Sequence, residues 1–268
     1  MGSQIVGALG ILELQQGATP RESPEPHPEN VELYGGVPLI SEVVAGAWAE
    51  DVIRGNPGIE GACIVAARRL VNRGAAAITS DCGFFVRHQN AVAASVRVPV
   101  VMSSLLLAPM LLRQLPRDAK LAVLTADARH CSVELLGLNP QNDRARVVIG
   151  GIEGSKVLDE LNRPYMPKSQ ITDTPQLTNA AALEKEVIAS LDRLRAEHPQ
   201  VSAVLLECTA FSLVAPSIRS FAKLPVYDIG DLCRMTLSTA YRGIGGGEGR
   251  ALTSLLPTQF PVEFGLEQ

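Results

Sequence analysis

The sequence predicts an α/β protein built from two similar doubly wound parallel-sheet domains related by a pseudo-two-fold axis. Three observations carry this expectation. Short apolar runs rich in Val, Ile and Ala alternate with stretches of helical periodicity, the pattern of parallel strands joined by covering helices. The chain has 268 residues, of which 46% are apolar, 19% charged and only 4% aromatic, so one or two ordinary globular cores must be made mainly from Ala, Val, Leu and Ile. The third observation is an internal repeat, described below.

Taken in order, strands are expected at 5–12, 75–80, 98–103, 121–125, 146–152, 201–206 and 225–229, where β-branched and aliphatic residues run together. Helices are expected at 50–73, 85–95, 105–114, 128–138, 180–197, 212–222 and 231–241. Two long connections interrupt the alternation: 15–42, rich in Pro, Glu and Gly, and 154–179, rich in Pro, Thr and Ser. Each would leave the carboxyl end of a strand, where open α/β sheets place ligands. They read as lids or as surface loops without a role in catalysis.

The repeat is gap-free. Ala75-Ala76-Ala77-Ile78-Thr79-Ser80-Asp81-Cys82 is followed by Val98-Pro99-Val100, and Val201-Ser202-Ala203-Val204-Leu205-Leu206-Glu207-Cys208 by Leu224-Pro225-Val226. Cys82 and Cys208 stand 126 positions apart, as do Pro99 and Pro225, and Phe85 and Phe211. An acidic residue precedes each Cys, and Arg97 and Lys223 each stand two before the Pro. Two copies of one strand–Cys–helix–strand unit explain the match.

A Cys at the end of a parallel strand, just before a helix, sits beside backbone N–H groups that lack helical partners and near the positive end of the helix dipole, so its thiolate is expected to be favoured. The same N–H groups can receive a carboxylate. Gly83-Phe84 and Thr209-Ala210 are therefore candidate substrate-binding edges, with Gly83 permitting close backbone approach. If the axis brings the two strand ends face to face, a small carboxylic acid lies between two sulfurs. One can then act as thiolate base and the other as thiol acid on opposite faces of a carbon.

The paired Cys82 and Cys208, with Leu206-Glu207-Cys208-Thr209 and Leu224-Pro225-Val226-Tyr227-Asp228, resemble the aspartate/glutamate racemase superfamily, which includes hydantoin racemases, maleate isomerases and arylmalonate decarboxylases. The likeness covers most of the chain, and only the two Cys segments are specific. It implies two similar α/β domains, 1–113 plus 230–268 and 114–229, a site in the cleft between them, no cofactor, and Cys82 and Cys208 as the catalytic pair. Leu121-Ala122-Val123-Leu124-Thr125 is similar to the strand opening the family's second domain, which adds Thr125 as a candidate substrate contact. Gly83-Phe84 replaces the Asn-Thr usual after the first Cys of glutamate racemases, Ala210 replaces the His usual after the second Cys-Thr, and no Asp-Ser-Gly follows the first strand, so glutamate is not the expected substrate. The resemblance implies a cofactor-independent isomerase: a racemase or epimerase of an amino acid or another small carboxylate-bearing compound, part of amino acid metabolism. The alternatives are a maleate-type cis-trans isomerase using the first Cys as nucleophile, a malonate-type decarboxylase needing one Cys, and a non-enzymatic small-carboxylate sensor.

Other residues read more plainly. Cys63 and Cys233, in Ala- and Leu-rich helical stretches, read as core. Cys131 beside His130, and His88 six residues after Cys82, make poor Cys–His pairs. Strand alternation would turn Asp81 and Glu207 away from the cysteines if the strands continue that far; they could hold the turns or tune the thiols. Glu13, near the end of the first strand, faces either the cleft or solvent. Ser103 reads as a ligand contact or as a helix cap. The run Gly243-Ile244-Gly245-Gly246-Gly247-Glu248-Gly249 does not join a strand to a helix, so it reads as a turn rather than a nucleotide loop.

Composition narrows the partners. The formal charge is −4 and no basic run appears, so nucleic acid is not expected. The first residues lack a cationic start, and the longest apolar run is broken by Ser103, Ser104 and Pro109, so neither a secretory signal nor a membrane span is expected, and the protein reads as cytoplasmic. The five cysteines contain no CxxC pair, and the four histidines have no ligand spacing, so no disulfide framework or metal site is predicted. The expected partner is a small carboxylate substrate; a homodimer through an Ala- and Leu-rich helix is compatible with the sequence.

Overall fold

The computed structural model describes residues 7–17, 33–139, 141, 143–167 and 179–240. His27, the glycine-rich run 243–249 and the middle portions of both long connections lie outside the described residues. Two all-parallel sheets organise the chain. In the first, β1 (Ala8–Glu13) lies between β2 (Leu39–Val43) and β3 (Ala75–Ser80), and Val100 bridges to Ile78 on the far side of β3. In the second, β4 (Lys120–Thr125) lies between β5 (Val147–Gly151) and β6 (Val201–Leu206), and β7 (Val226–Tyr227) follows β6. The spatial order is the same in both.

The duplication reaches the irregularities of the ladders. The register slips between Ala8 and Leu9 opposite Ala75 and Ala77, and again between Lys120 and Leu121 opposite Val201 and Ala203. Ile78 meets Val100 as Val204 meets Val226. Buried residues run almost without interruption along β1 and β4, because a parallel strand covered on both faces has no solvent side. The covering helices are α1 (Ala49–Arg54), α2 (Glu60–Asn72), α3 (Gln89–Ser95), α4 (Ala108–Gln114), α5 (Lys156–Asn162), α6 (Ala180–Glu197), α7 (Ala215–Ala222) and α8 (Ile229–Ala240). Helix α8 packs against β3 and so lies on the first sheet. Among the described residues no helix is long and apolar enough to cross a membrane.

Four expectations are corrected. The helix predicted over 50–73 is two helices: Gly55, at φ +79°, closes α1, and Asn56 caps a Pro57–Ile59 turn that leads into α2. The strand predicted over 98–103 shrinks to the bridge at Val100, and that over 225–229 to β7; a proline, which has no N–H for the ladder, stands immediately before each observed pairing. The helix predicted over 128–138 is two 3-10 turns, Ala128–His130 and Val133–Leu136, separated by extended Cys131 and Ser132 and closed by Gly137 at φ +63°. Finally, β2 and α5 lie inside the two stretches read as long connections. With 5 and 7 residues they are too short to impose a visible period.

Candidate active site

The end of β3 and the end of β6 open into one cavity of about 360 Å³. Cys82 and Cys208 both line it, each at the N-cap of a six-residue 3-10 segment, Gly83–His88 and Thr209–Val214. The Phe85 N–H donates to the Cys82 carbonyl and the Phe211 N–H to the Cys208 carbonyl, so the two turns are built alike. They also touch. The Thr209 hydroxyl donates to the carbonyl oxygen of Asp81, and a methyl group on Gly83 would collide with the carbonyl oxygen and Oε1 of Glu207. Glycine at 83 is therefore required by the approach of the opposite turn.

Of the residues singled out from sequence, Cys82, Cys208, Gly83, Phe84, Thr209, Ala210 and Glu13 share this cavity wall. Ser103 and Thr125 are not among the residues lining it. Ser103 is buried and its hydroxyl accepts from the Leu105 N–H at 3.2 Å, a cap for the turn leading into α4. Thr125 is buried and donates through Oγ1 to Oε2 of Glu207 at 2.7 Å. Cys63, Cys131 and Cys233 are buried in the core, where burial pushes their thiols up; Cys63 and Cys233 reach about 12. His88 is buried with Nδ1 3.8 Å from Glu60, and burial lowers its pKa.

The expected favouring of the thiolates does not hold. Nearby backbone amides do lower both thiols, that of Phe84 for Cys82 and those of Ala210 and Phe211 for Cys208. Burial outweighs them, and the carboxylates of Glu207 and Asp81 add to it: Cys208 is pushed up to about 12 and Cys82 well above its ordinary value. A 3-10 segment stands between each Cys and the following α-helix, so single amides rather than an α-helix terminus face the sulfur.

Glu207 and Asp81 line the same cavity as the cysteines, because the condition for turning away, a strand reaching as far as the acid, is not met. The strands end at Leu206 and Ser80, one residue earlier, so alternation no longer applies to them. Both Asp81 oxygens accept from the Leu14 N–H, at 3.1 and 3.0 Å, while burial holds its carboxyl well above the usual range. Glu207 is 1% exposed, and burial raises it to about 7 against the opposing hydrogen bonds from Thr125 and the Ala126 N–H. The repeated acid–Cys dipeptide was the signal for both.

Apolar and aromatic groups complete the wall. Ala49 and Ile53 come from α1, Leu161 and Asn162 from α5, Tyr165 from the turn after it, and Leu33 and Tyr34 from the end of the first long connection. Burial, with the nearby carboxylates and thiols, pushes the phenols of Tyr34 and Tyr165 up, so both stay protonated. Neither tyrosine lies in the repeat, and no sequence signal marked them. Among the described lining residues the charged side chains are Glu13, Asp81 and Glu207, all acidic.

Solved structures share this architecture. An allantoin racemase from Klebsiella pneumoniae aligns over 88% of this chain and 86% of its own, with a TM-score of 0.56 and 11% identity. An aspartate racemase from Picrophilus torridus aligns over 88% and 95%, with a TM-score of 0.52 and 15% identity. The chain shares the fold of these two racemases. Sequence relatives of this racemase-fold chain carry another name. A dimethylsulfoniopropionate lyase 5 from Emiliania huxleyi (strain CCMP1516) is 31% identical over 61% of the chain and 33% of its own length. A dimethylsulfoniopropionate lyase from Durusdinium sp. clade D is 33% identical over 58% and 50%. The chain thus spans a third to a half of the length of these two curated relatives, which are enzymes. No family model matches it.

Proposed function

We propose that the protein is a cofactor-independent enzyme that removes the proton α to the carboxylate of a small zwitterion, with Cys82 and Cys208 as the acid–base pair. In this reading the carbanion expels a sulfonium group from the neighbouring carbon. The observation that carries it is the pairing of two thiols at equivalent strand ends in one cavity whose charged walls are acidic. A carboxylate would lie along the 83–84 or 209–210 edge, where backbone N–H groups cluster at the start of a turn. An onium group would face Tyr34 and Tyr165, whose rings attract cations, and the carboxyls of Glu13 and Asp81. The names of the sequence relatives support dimethylsulfoniopropionate as the substrate.

The chemistry balances simply. A thiolate takes the α-proton, the C–H electron pair becomes a C=C bond, and the C–S bond breaks to release neutral dimethyl sulfide and acrylate. The bound cation also offsets the carboxylates that hold the thiols protonated, so the thiolate forms when substrate is present. A second reading, racemisation, is favoured by the second thiol, since elimination needs only one base. We propose the same two-domain division for both, 1–113 with 230–268 and 114–229, with the reacting carbon between the domains.

Incubation with dimethylsulfoniopropionate, with headspace gas chromatography for dimethyl sulfide, tests the first reading, and chiral chromatography of amino acid enantiomers tests the second. Cys82→Ser and Cys208→Ser are each expected to slow the productive reaction by at least about 10²-fold. Sulfide release identifies the lyase, and enantiomer interconversion without it identifies the racemase. Full turnover by both serine variants would overturn the thiol mechanism.

A further inference from the structure

We propose that Glu207 accepts the proton that the cysteine pair must shed, so that thiolate forms in the cavity by internal transfer rather than by loss to solvent. This rests on the assignment of Cys82 and Cys208 as the acid–base pair and deepens it. Glu207 is 1% exposed and lines the same cavity as both sulfurs. Its two oxygens are unequal. Oε2 accepts from Thr125 Oγ1 at 2.7 Å, whereas Oε1 is buried and has no hydrogen-bond partner among the described residues. A buried carboxylate oxygen without a donor is costly and has room for a proton. Oε1 also lies against Gly83, the residue that follows Cys82, so the carboxyl of one unit reaches the cysteine turn of the other.

The groups facing Glu207 set the direction of transfer. Both thiols are raised by its charge, Cys131 is raised by it from the core side, and Arg87 is the cation that favours its ionised form. Above about pH 7 the carboxylate is ionised while the thiols are still neutral. Transfer breaks an S–H bond and forms an O–H bond on Glu207 with no change in net charge, leaving a thiolate beside a neutral acid. Cys208 is the sulfur better placed to carry that charge, because the backbone amides of Ala210 and Phe211 both lower its pKa, against that of Phe84 alone for Cys82. When the thiolate has taken the substrate's α-proton, the enzyme holds one proton too many, and Glu207 releases it to water to close the cycle. The residue acts through the thiols and does not touch the substrate.

The shared proton has a signature that needs no substrate. In the wild type, the rate of thiol alkylation by iodoacetamide should rise with pH up to about 7, where Glu207 titrates, and then level off, because above it the thiolate share is fixed by the internal equilibrium. In Glu207→Gln the break should vanish and the rate rise continuously, with faster alkylation near neutral pH because a negative charge has gone. Turnover should nevertheless fall by about 10²-fold. Thr125→Val, which removes a donor to the ionised form, should move the break to higher pH. A wild-type profile without a break, or Glu207→Gln with turnover equal to or above wild type, would overturn the proposal. Failure of the thiol assignment would appear separately, as serine variants at 82 and 208 that keep full turnover.

Discussion

Asp81 and Glu207 stand at equivalent positions before the two cysteines, and their partners differ: the Leu14 N–H shared by both oxygens for the first, the Thr125 hydroxyl and the Ala126 N–H with Oε1 left over for the second. The difference has a thermodynamic consequence. Burial raises Glu207 from 4.5 to about 7, so the folded protein holds this proton more tightly than the unfolded chain. The contribution is complete below the unfolded value and is lost as pH rises through the folded one. Ionised Glu207 then costs of order 3 kcal/mol above that range. Glu207→Gln is expected to resist urea better than wild type at about pH 8 and to lose the advantage at about pH 4. Equal midpoints for the two proteins at both pH values would contradict the raised carboxyl. The acid–Cys dipeptide was visible in the sequence, but the depth of burial that separates the two acids was not, because it depends on what the opposite unit brings against them.

Elements ended where local chemistry said they must. Gly55 and Pro57 divide the expected 50–73 helix, and Pro99 and Pro225 shorten the edge strands, all through signals present in the chain. The places missed were short: β2 and α5 carry too few residues to show a period, and each gains its stability from packing rather than propensity. One terminus remains at odds with its residue. Lys223 closes α7 at φ +52°, the only non-glycine with positive φ among the described residues. A side chain there costs about 1–2 kcal/mol relative to glycine, which itself loses more entropy on folding. Lys223→Gly should therefore raise the unfolding free energy by about 0.5–1 kcal/mol in a denaturant titration. A loss of stability would mean that the lysine stem contributes packing the backbone argument omits.

At the scale of the molecule, the two units are tied by polar contacts around the cavity. Ser104 Oγ donates to the Leu206 carbonyl at 2.6 Å, Thr209 Oγ1 to that of Asp81, and the Arg87 guanidinium to that of His130 at 2.7 Å. Each donor belongs to one unit and each acceptor to the other. Ser104→Ala should lower the unfolding free energy by about 1–2 kcal/mol, since a buried hydrogen bond is lost without a solvent replacement, and should slow turnover by loosening the cavity. Ser202→Ala, whose hydroxyl bonds only to nearby Gln200 at the surface, serves as the control expected to change neither. Unchanged stability and rate in Ser104→Ala would show that this hydrogen bond does not help to hold the units together.

The linear order of residues by itself determined the duplicated α/β plan, the two cysteines and the turns that follow them, because alternation, spacing and strand-end position are local properties. Only the tertiary structure decided which groups surround those sulfurs. Two tyrosines from stretches without a repeat, and two acids just past their strands, reach the cavity through folding of distant segments, and burial there keeps the thiols protonated. A helix start favours a thiolate over a few ångströms; the desolvation and the facing carboxylates that outweigh it exist only once the opposite unit has closed over the site.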